Sequence, residues 1–247
     1  MAAPTEALVP VAGAPDRAPQ VREMFDTLAP TYDRANRIIS MGLDQGWRRQ
    51  AIAALGDARQ GEVMDLCAGT LDLSVMLCAA GAQRVHAVDF AEQMLKAGAH
   101  KIPAGHDVRL ITADARELPF EDNAVDGIIA GFGLRNVPEL HRAAAECARV
   151  LRPGGRLVVL EFFQPESLMS KVLQGSYNRF VMPAIGGLVS GFGPAYRYLA
   201  GSIDAFMTRG QFERLLLDNG FAETSGREMF PPVASLVVGR MPGVAHV

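Results

Sequence analysis

The chain has 247 residues, 49% of them hydrophobic and 21% charged, and a formal net charge of −3. That length supports one α/β domain with additions and a sizeable core, and the composition excludes disorder for the bulk of it. No basic stripe points to nucleic acid, and no run of ~20 apolar residues is available to span a bilayer.

In chain order, residues 1–19 are rich in Ala, Pro and Val without a period and read as a disordered leader. They lack the basic region and apolar run of a secretory signal. Everything from residue 20 to 247 is expected to form one domain. Residues 20–60 are a helical cap: Val21, Met24, Phe25 and Leu28 share one helix face, and Trp47, Ile52 and Leu55 mark a second helix. Pro30-Thr31-Tyr32-Asp33 breaks between them. Residues 61–164 alternate strands and helices. Strands are predicted over Glu62–Cys67, Arg84–Phe90, Val108–Thr112, Val125–Ala130 and Arg156–Phe163. Helices are predicted over Leu71–Ala80 and Ala91–Lys101, and a third stops at Arg152-Pro153-Gly154-Gly155. Such alternation implies a doubly wound, Rossmann-like parallel sheet with right-handed crossovers. Residues 165–200 read as a helical insertion or lid. Residues 201–240 hold a helix over Arg209–Asn219, closed by Gly220, and an antiparallel hairpin of Phe221–Met229 and Val233–Val238. The sheet then has seven strands, one of them antiparallel at the C-terminal end.

Cysteine and histidine add little chemistry. Cys67, Cys78 and Cys147 lack metal-ligand spacing and read as reduced thiols of a cytosolic protein. His86 lies within a strand and reads as a packed core residue. His100 and His106 flank a surface turn, His141 is on a solvated helix and His246 is in the tail, so no pair suggests a metal.

The strand ends carry more. The first is Asp65-Leu66-Cys67-Ala68-Gly69-Thr70-Leu71-Asp72, where Gly69 lets a ligand approach the backbone at a helix start. Asp89 closes the second strand twenty residues after Gly69, the distance at which an acidic residue meets ribose hydroxyls in nucleotide-binding α/β units. Asp114 and Ala115, past the third strand, suit an adenine edge. A tight turn at Gly69 and a helix cap at Asp89 are the plainer alternatives. The loop lacks the glycines that admit a pyrophosphate, and the chain has no phosphate-binding GKS or GKT loop. A nucleoside without phosphates, S-adenosylmethionine, fits best.

With these residues in place, the chain resembles the menaquinone and ubiquinone biosynthesis C-methyltransferases over about residues 20–240. The most specific marks are Phe132-Gly133-Leu134-Arg135-Asn136 and Arg149-Val150-Leu151-Arg152-Pro153-Gly154-Gly155. Leu160-Glu161-Phe162, Tyr196-Arg197-Tyr198-Leu199 and Tyr32-Asp33 add to them. The resemblance implies class I, S-adenosylmethionine-dependent methylation of a ring carbon on a prenylated quinol. Carried over by position, the cofactor contacts are Asp65, Gly69, Thr70, Asp89, Asp114, Ala115 and Gly131. Gly131 stands where related proteins often have serine, which reduces it to a backbone contact. The general methyltransferase pattern puts small residues, mostly glycine, two, four and six positions after Asp65. Here those positions hold Cys67, Gly69 and Leu71. Leu71 is allowed there at negative φ in the first helical turn, its side chain turned into the core; a positive φ at that residue would count against cofactor binding.

Methyl transfer to carbon requires both partners held at near-attack distance and a developing phenolate stabilised. Arg135 is the candidate cation for this, acting on the quinol proton through a water because its own pKa rules out a direct base. Asn136 is the candidate for orienting the hydroxyl. A structural salt bridge from Arg135 to Asp126 or Asp114 is the competing assignment. Tyr32, Tyr177 and Tyr196 are candidates for the quinol site. The uncharged stretch Phe180 to Tyr196 suits an apolar flap over a polyprenyl tail, or a surface resting on a bilayer; a core loop is the bland alternative. Peripheral membrane contact from the cytoplasmic side and a homodimer are both compatible with such a protein. Two other readings stay open: a small phenolic or polyketide acceptor, and a methyltransferase fold repurposed for binding or cyclisation.

Overall fold

The computed structural model describes residues 18–29, 32–33, 37, 40, 42–166, 171, 175, 198 and 201–243. Most of the leader, the whole stretch from Phe180 to Tyr196, Tyr177 and Tyr196 lie outside these residues, as does the side chain of Leu28.

Seven strands form one sheet in the order β3-β2-β1-β4-β5-β7-β6. They are β1 (Glu62–Leu66), β2 (Arg84–Asp89), β3 (Val108–Thr112), β4 (Val125–Gly131), β5 (Leu151–Glu161), β6 (Glu223–Glu228) and β7 (Ser235–Arg240). The first five are parallel, and β7 runs antiparallel to both β5 and β6. The described helices are α1 (Ala18–Leu28), α2 (Leu43–Ala54), α3 (Asp72–Ala79), α4 (Glu92–Gly98), α5 (Leu140–Val150) and α6 (Arg209–Asp218).

Strand alternation sorts the core into two layers. Met64, Leu66, Ile128, Ala130, Leu157 and Val159 face one side, where Ala143, Ala144 and Cys147 of α5 and Phe212 and Leu216 of α6 cover them. Val63, Ile129, Val158 and Leu160 face the other, under Trp47, Ala51 and Ile52 of α2 and Leu73 and Leu77 of α3. Asp65 shares the parity of Val63 and therefore points beneath α3. In α1, Val21 and Met24 are buried as the spacing predicts.

One boundary differs from the sequence expectation. Arg152-Pro153-Gly154-Gly155 does not end a helix: α5 stops at Val150, and β5 begins at Leu151 with these four residues as a bulge. Leu151 pairs with Val125 and Arg156 with Gly127, so the extra residues stand opposite Asp126. Arg152 binds the Asp126 carboxylate at 2.7 Å, and Gly154 and Gly155 bond to Pro242 and Met241 past the end of β7. The Pro-Gly-Gly run thus lets one strand serve two partners.

His86 is buried in β2 with Nε2 3.0 Å from Glu62, as expected of a packed strand histidine. The three cysteines are free thiols; Cys78 and Cys147 are buried and Cys67 is partly buried. Among the described residues, no helix is long and apolar enough to cross a membrane.

Candidate active site

The strand order reverses between β2-β1 and β4-β5, and a cleft of about 690 Å³ opens beyond the carboxyl ends of these strands. This is the crevice where doubly wound sheets bind ligands. Gly69, Asp89, Asp114, Ala115, Gly131, Asn136 and Tyr32 all line it, joined by Cys67, Phe132 and Gly133. Phe25 and Met94, which sequence reasoning had not singled out, complete its apolar wall.

Asp89 is the organising group. Its carboxylate accepts the Gly69 N–H and the Ala91 N–H, each at 2.8 Å. The residue is 7% exposed, and burial raises its pKa to about 6 although both amide bonds favour the anion. One carboxylate therefore sets the spacing between the β1 and β2 loops. Asp114 is more open, and the Arg116 guanidinium hydrogen-bonded to it holds its carboxyl below the usual range.

The loop from Cys67 to Leu71 resolves the missing glycines. Cys67, Gly69 and Leu71 have φ of 58°, 54° and 70°. All three positions where the general pattern favours glycine are left-handed here, and two of them carry side chains. The expectation of a negative φ at Leu71 fails; the inward side chain does not. Leu71 is fully buried against Ala87 and Leu95. Its N–H binds Ala68 and its carbonyl starts α3 through Val75, so the residue must turn between a tight loop and a helix. Burying a leucine contributes roughly 1.5–3 kcal/mol, which offsets a left-handed cost of about 1–2 kcal/mol. Cys67 touches the second loop closely: a Cβ on Gly133 would lie 2.3 Å from its Cβ. At Gly131 a Cβ would lie 2.7 Å from Leu73 Cδ1, so Leu73 fills the space that a serine would use.

Three expected contacts sit elsewhere. Asp65 is fully buried outside the cleft lining; Oδ2 accepts the Ser74 hydroxyl at 2.6 Å, Oδ1 has no partner, and burial lifts its pKa to about 7. Thr70 is 4% exposed and donates its hydroxyl to Asp33. Arg135 does not reach the cleft. Its Nη1 pairs with Glu161 Oε1 at 2.8 Å and also donates to the Phe132 carbonyl, while Nε donates to Ser202 at 3.2 Å. The guanidinium lies over the Phe162 ring. Arg135 is thus salt-bridged to Glu161, not to Asp126 or Asp114, which serve Arg152 and Arg116. Glu161, 0% exposed, also accepts the N–H groups of Arg135 and Phe162. A glutamate in the apolar run Val158 to Phe163 was the available sequence signal for such a buried pair.

Asn136 keeps its place in the cleft. It closes the 3₁₀ turn Leu134–Asn136, and its Oδ1 accepts the Tyr198 hydroxyl at 2.9 Å. With the oxygen occupied by a donor, the amide nitrogen is the end that can donate. Tyr32 packs edge-on to Phe25 at 5.9 Å.

Comparison with known proteins identifies the family. Residues 14–239 match the model of the ubiE/COQ5 methyltransferase family. A ubiquinone/menaquinone biosynthesis C-methyltransferase of Syntrophotalea carbinolica is 40% identical over 220 residues, 88% of this chain and 92% of that one. A demethylmenaquinone methyltransferase of Thermus thermophilus is 42% identical over 202 residues, 81% and 91% of the two chains. Among solved structures, a phosphoethanolamine N-methyltransferase of Haemonchus contortus in complex with S-adenosyl-L-methionine superposes with a TM-score of 0.67 at 15% identity, covering 90% of this chain and 60% of that one. At such identity it bears on the fold alone.

Proposed function

The chain belongs to the ubiE/COQ5 methyltransferase family, and we propose that it methylates a ring carbon of a prenylated quinol, with S-adenosylmethionine as donor. The observation that carries the donor assignment is the charge of the cleft. Asp89 and Asp114 line it, and among the described residues no lysine or arginine does. Such a lining repels phosphates and attracts a cation, which is what a sulfonium nucleoside offers and a dinucleotide does not.

When bound, S-adenosylmethionine supplies a methyl group activated for in-line displacement. Asp89, anionic in its majority at pH 7 with a pKa of about 6, accepts from the ribose hydroxyls. Asp114 and Ala115 meet the adenine edge, and Gly69 and Gly131 offer backbone without a side chain in the way. Asn136 donates its amide N–H to the quinol oxygen and stabilises the phenolate as it forms. Tyr198 fixes the Asn136 rotamer that does this, and Arg135 with Glu161 fixes the loop that presents it. The prenyl tail of the acceptor suits work at the cytoplasmic surface of a membrane. The names of the relatives support the quinone-pathway substrate.

Calorimetric titration with S-adenosylmethionine and S-adenosylhomocysteine, followed by a methyl-transfer assay on demethylmenaquinol, tests the proposal. Micromolar binding and a methylated ring are expected. No binding of either ligand at millimolar concentration would overturn it, and binding without transfer to any quinol would remove the acceptor.

A further inference from the structure

The wall of the cleft that carries Phe25 and Tyr32 belongs to the segment before the sheet, and no strand holds it in place. A small apolar cluster of Ala29, Ala91 and Met94 lies under it, with Phe25 and Tyr32 packed against that cluster. The Gln93 N–H donates to Asp26 at 3.1 Å. Val21 and Met24 of α1 pack with Tyr198 and Phe90, and an ionic attachment adds to these contacts. Lys101 ends the 3₁₀ turn Ala99–Lys101 that continues α4, and its Nζ lies 2.5 Å from Asp33 Oδ2 and 2.7 Å from Asp72 Oδ1. Asp33 follows Tyr32 directly. Its second oxygen accepts the hydroxyl of Thr70, the residue after Gly69. Asp72 opens α3 just after the left-handed Leu71.

One ammonium therefore joins three pieces around the cleft: the N-terminal wall, the Gly69 loop and the first turn of α3. The Lys101 side chain is 19% exposed, so the interaction is partly desolvated and is a network rather than an isolated surface pair. By contrast Lys96, five residues earlier on the same stretch, makes an exposed i,i+4 pair with Glu92.

We propose that Lys101 is a positioning residue that clasps the Tyr32 wall over the bound cofactor and thereby sets the rate at which the cofactor leaves. The clasp rests on the cofactor reading above, but its mechanical part does not need a ligand. Release requires Phe25 and Tyr32 to move away from Gly69 and Met94, and the Asp33–Lys101–Asp72 bridge resists that motion. Lys101→Met keeps the aliphatic stem and removes the charge.

Amide hydrogen exchange over Ala18–Leu28 in the ligand-free protein tests the clasp itself: faster exchange is expected in Lys101→Met and unchanged exchange in Lys96→Met. Dissociation of S-adenosylhomocysteine, followed by rapid-mixing fluorescence of the single tryptophan, Trp47, tests its consequence. Trp47 lies 6.3 Å from Phe132 in the cleft lining. Lys101→Met should dissociate roughly five to ten times faster, with a matching rise in Kd and a weaker salt dependence. Lys101→Arg should recover most of the loss. Equal exchange in Lys101→Met and the native protein would overturn the clasp, whatever the cofactor. Altered exchange with unchanged dissociation would overturn its role in release. A native protein that binds neither ligand would instead defeat the cofactor reading, and control of release with it.

Discussion

Replacing Leu71 by alanine and by glycine separates the two opposing contributions at the centre of the cofactor loop. Its side chain is 0% exposed and packs against Ala87 and Leu95, so truncation to alanine should cost about 2–5 kcal/mol. Glycine removes the same atoms and one more carbon. At an ordinary helical position it would be less stable than alanine by roughly 0.5–1 kcal/mol. Here φ is 70° and ψ 19°, a conformation that charges alanine about 1–2 kcal/mol and glycine almost nothing. The order should therefore invert, with Leu71→Gly more stable than Leu71→Ala by about 0.5–1 kcal/mol. The surroundings leave the backbone little choice. A Cβ on Gly98 would lie 2.4 Å from the Thr70 carbonyl oxygen, so α4 is already pressed on the loop. Urea unfolding of the two variants at equal m-value measures the difference. Alanine proving the more stable would refute the left-handed assignment, and with it the claim that a buried leucine stands in for the family's third glycine.

Two further perturbations test the buried charges. Asp65 has a folded-state pKa of about 7 against an ordinary value of 3.8, so the folded protein retains a proton that the unfolded chain has lost. On this group's account stability is full below about pH 4 and is lost as pH rises to about 7. Between pH 5 and pH 8 the native protein should lose about 2–3 kcal/mol relative to Asp65→Asn, and parallel urea profiles of the two across that range would dismiss the assignment. For the buried ion pair, Arg135→Ala should destabilise by about 3–5 kcal/mol because it strands Glu161 without a counter-charge. The double variant Arg135→Ala/Glu161→Ala should cost well under the sum of the two single changes. An Arg135→Ala protein as stable as the native one but without turnover would return Arg135 to the reacting centre.

What the sequence made legible was local. Largely apolar runs with polar turns at their ends gave β1 to β4 to within a residue or so; β1, β2 and β4 are buried parallel strands, while β3 is a partly exposed edge strand. Gly69 and Asp89, singled out for their spacing, are hydrogen-bonded neighbours at adjoining strand ends. The start of β5 was hidden because the bulge at Arg152 to Gly155 is held by Asp126 and by residues 241 and 242 of the last strand's continuation, which no local window contains. The salt-bridge partner of Arg135 was hidden for the same reason: Glu161 lies twenty-six residues on, at the end of a neighbouring strand. The sign of φ at Leu71 was set by the crowding of α4 on the loop, which is a tertiary effect on a residue whose local preference runs the other way.

The Arg135–Glu161 pair belongs to a wider arrangement of charge. Four cations on the described loops and helices around the cleft are tied to carboxylates. Arg48 pairs with Asp44, Lys101 with Asp33 and Asp72, Arg116 with Asp114 and Glu139, and Arg135 with Glu161. These cations rigidify the loops; in the lining Asp114 is held by Arg116 and Asp89 by the Gly69 and Ala91 amides. An arginine free in such a cleft would attract phosphates and repel a sulfonium. Pairing these four cations with carboxylates eases that conflict at the loops that carry them.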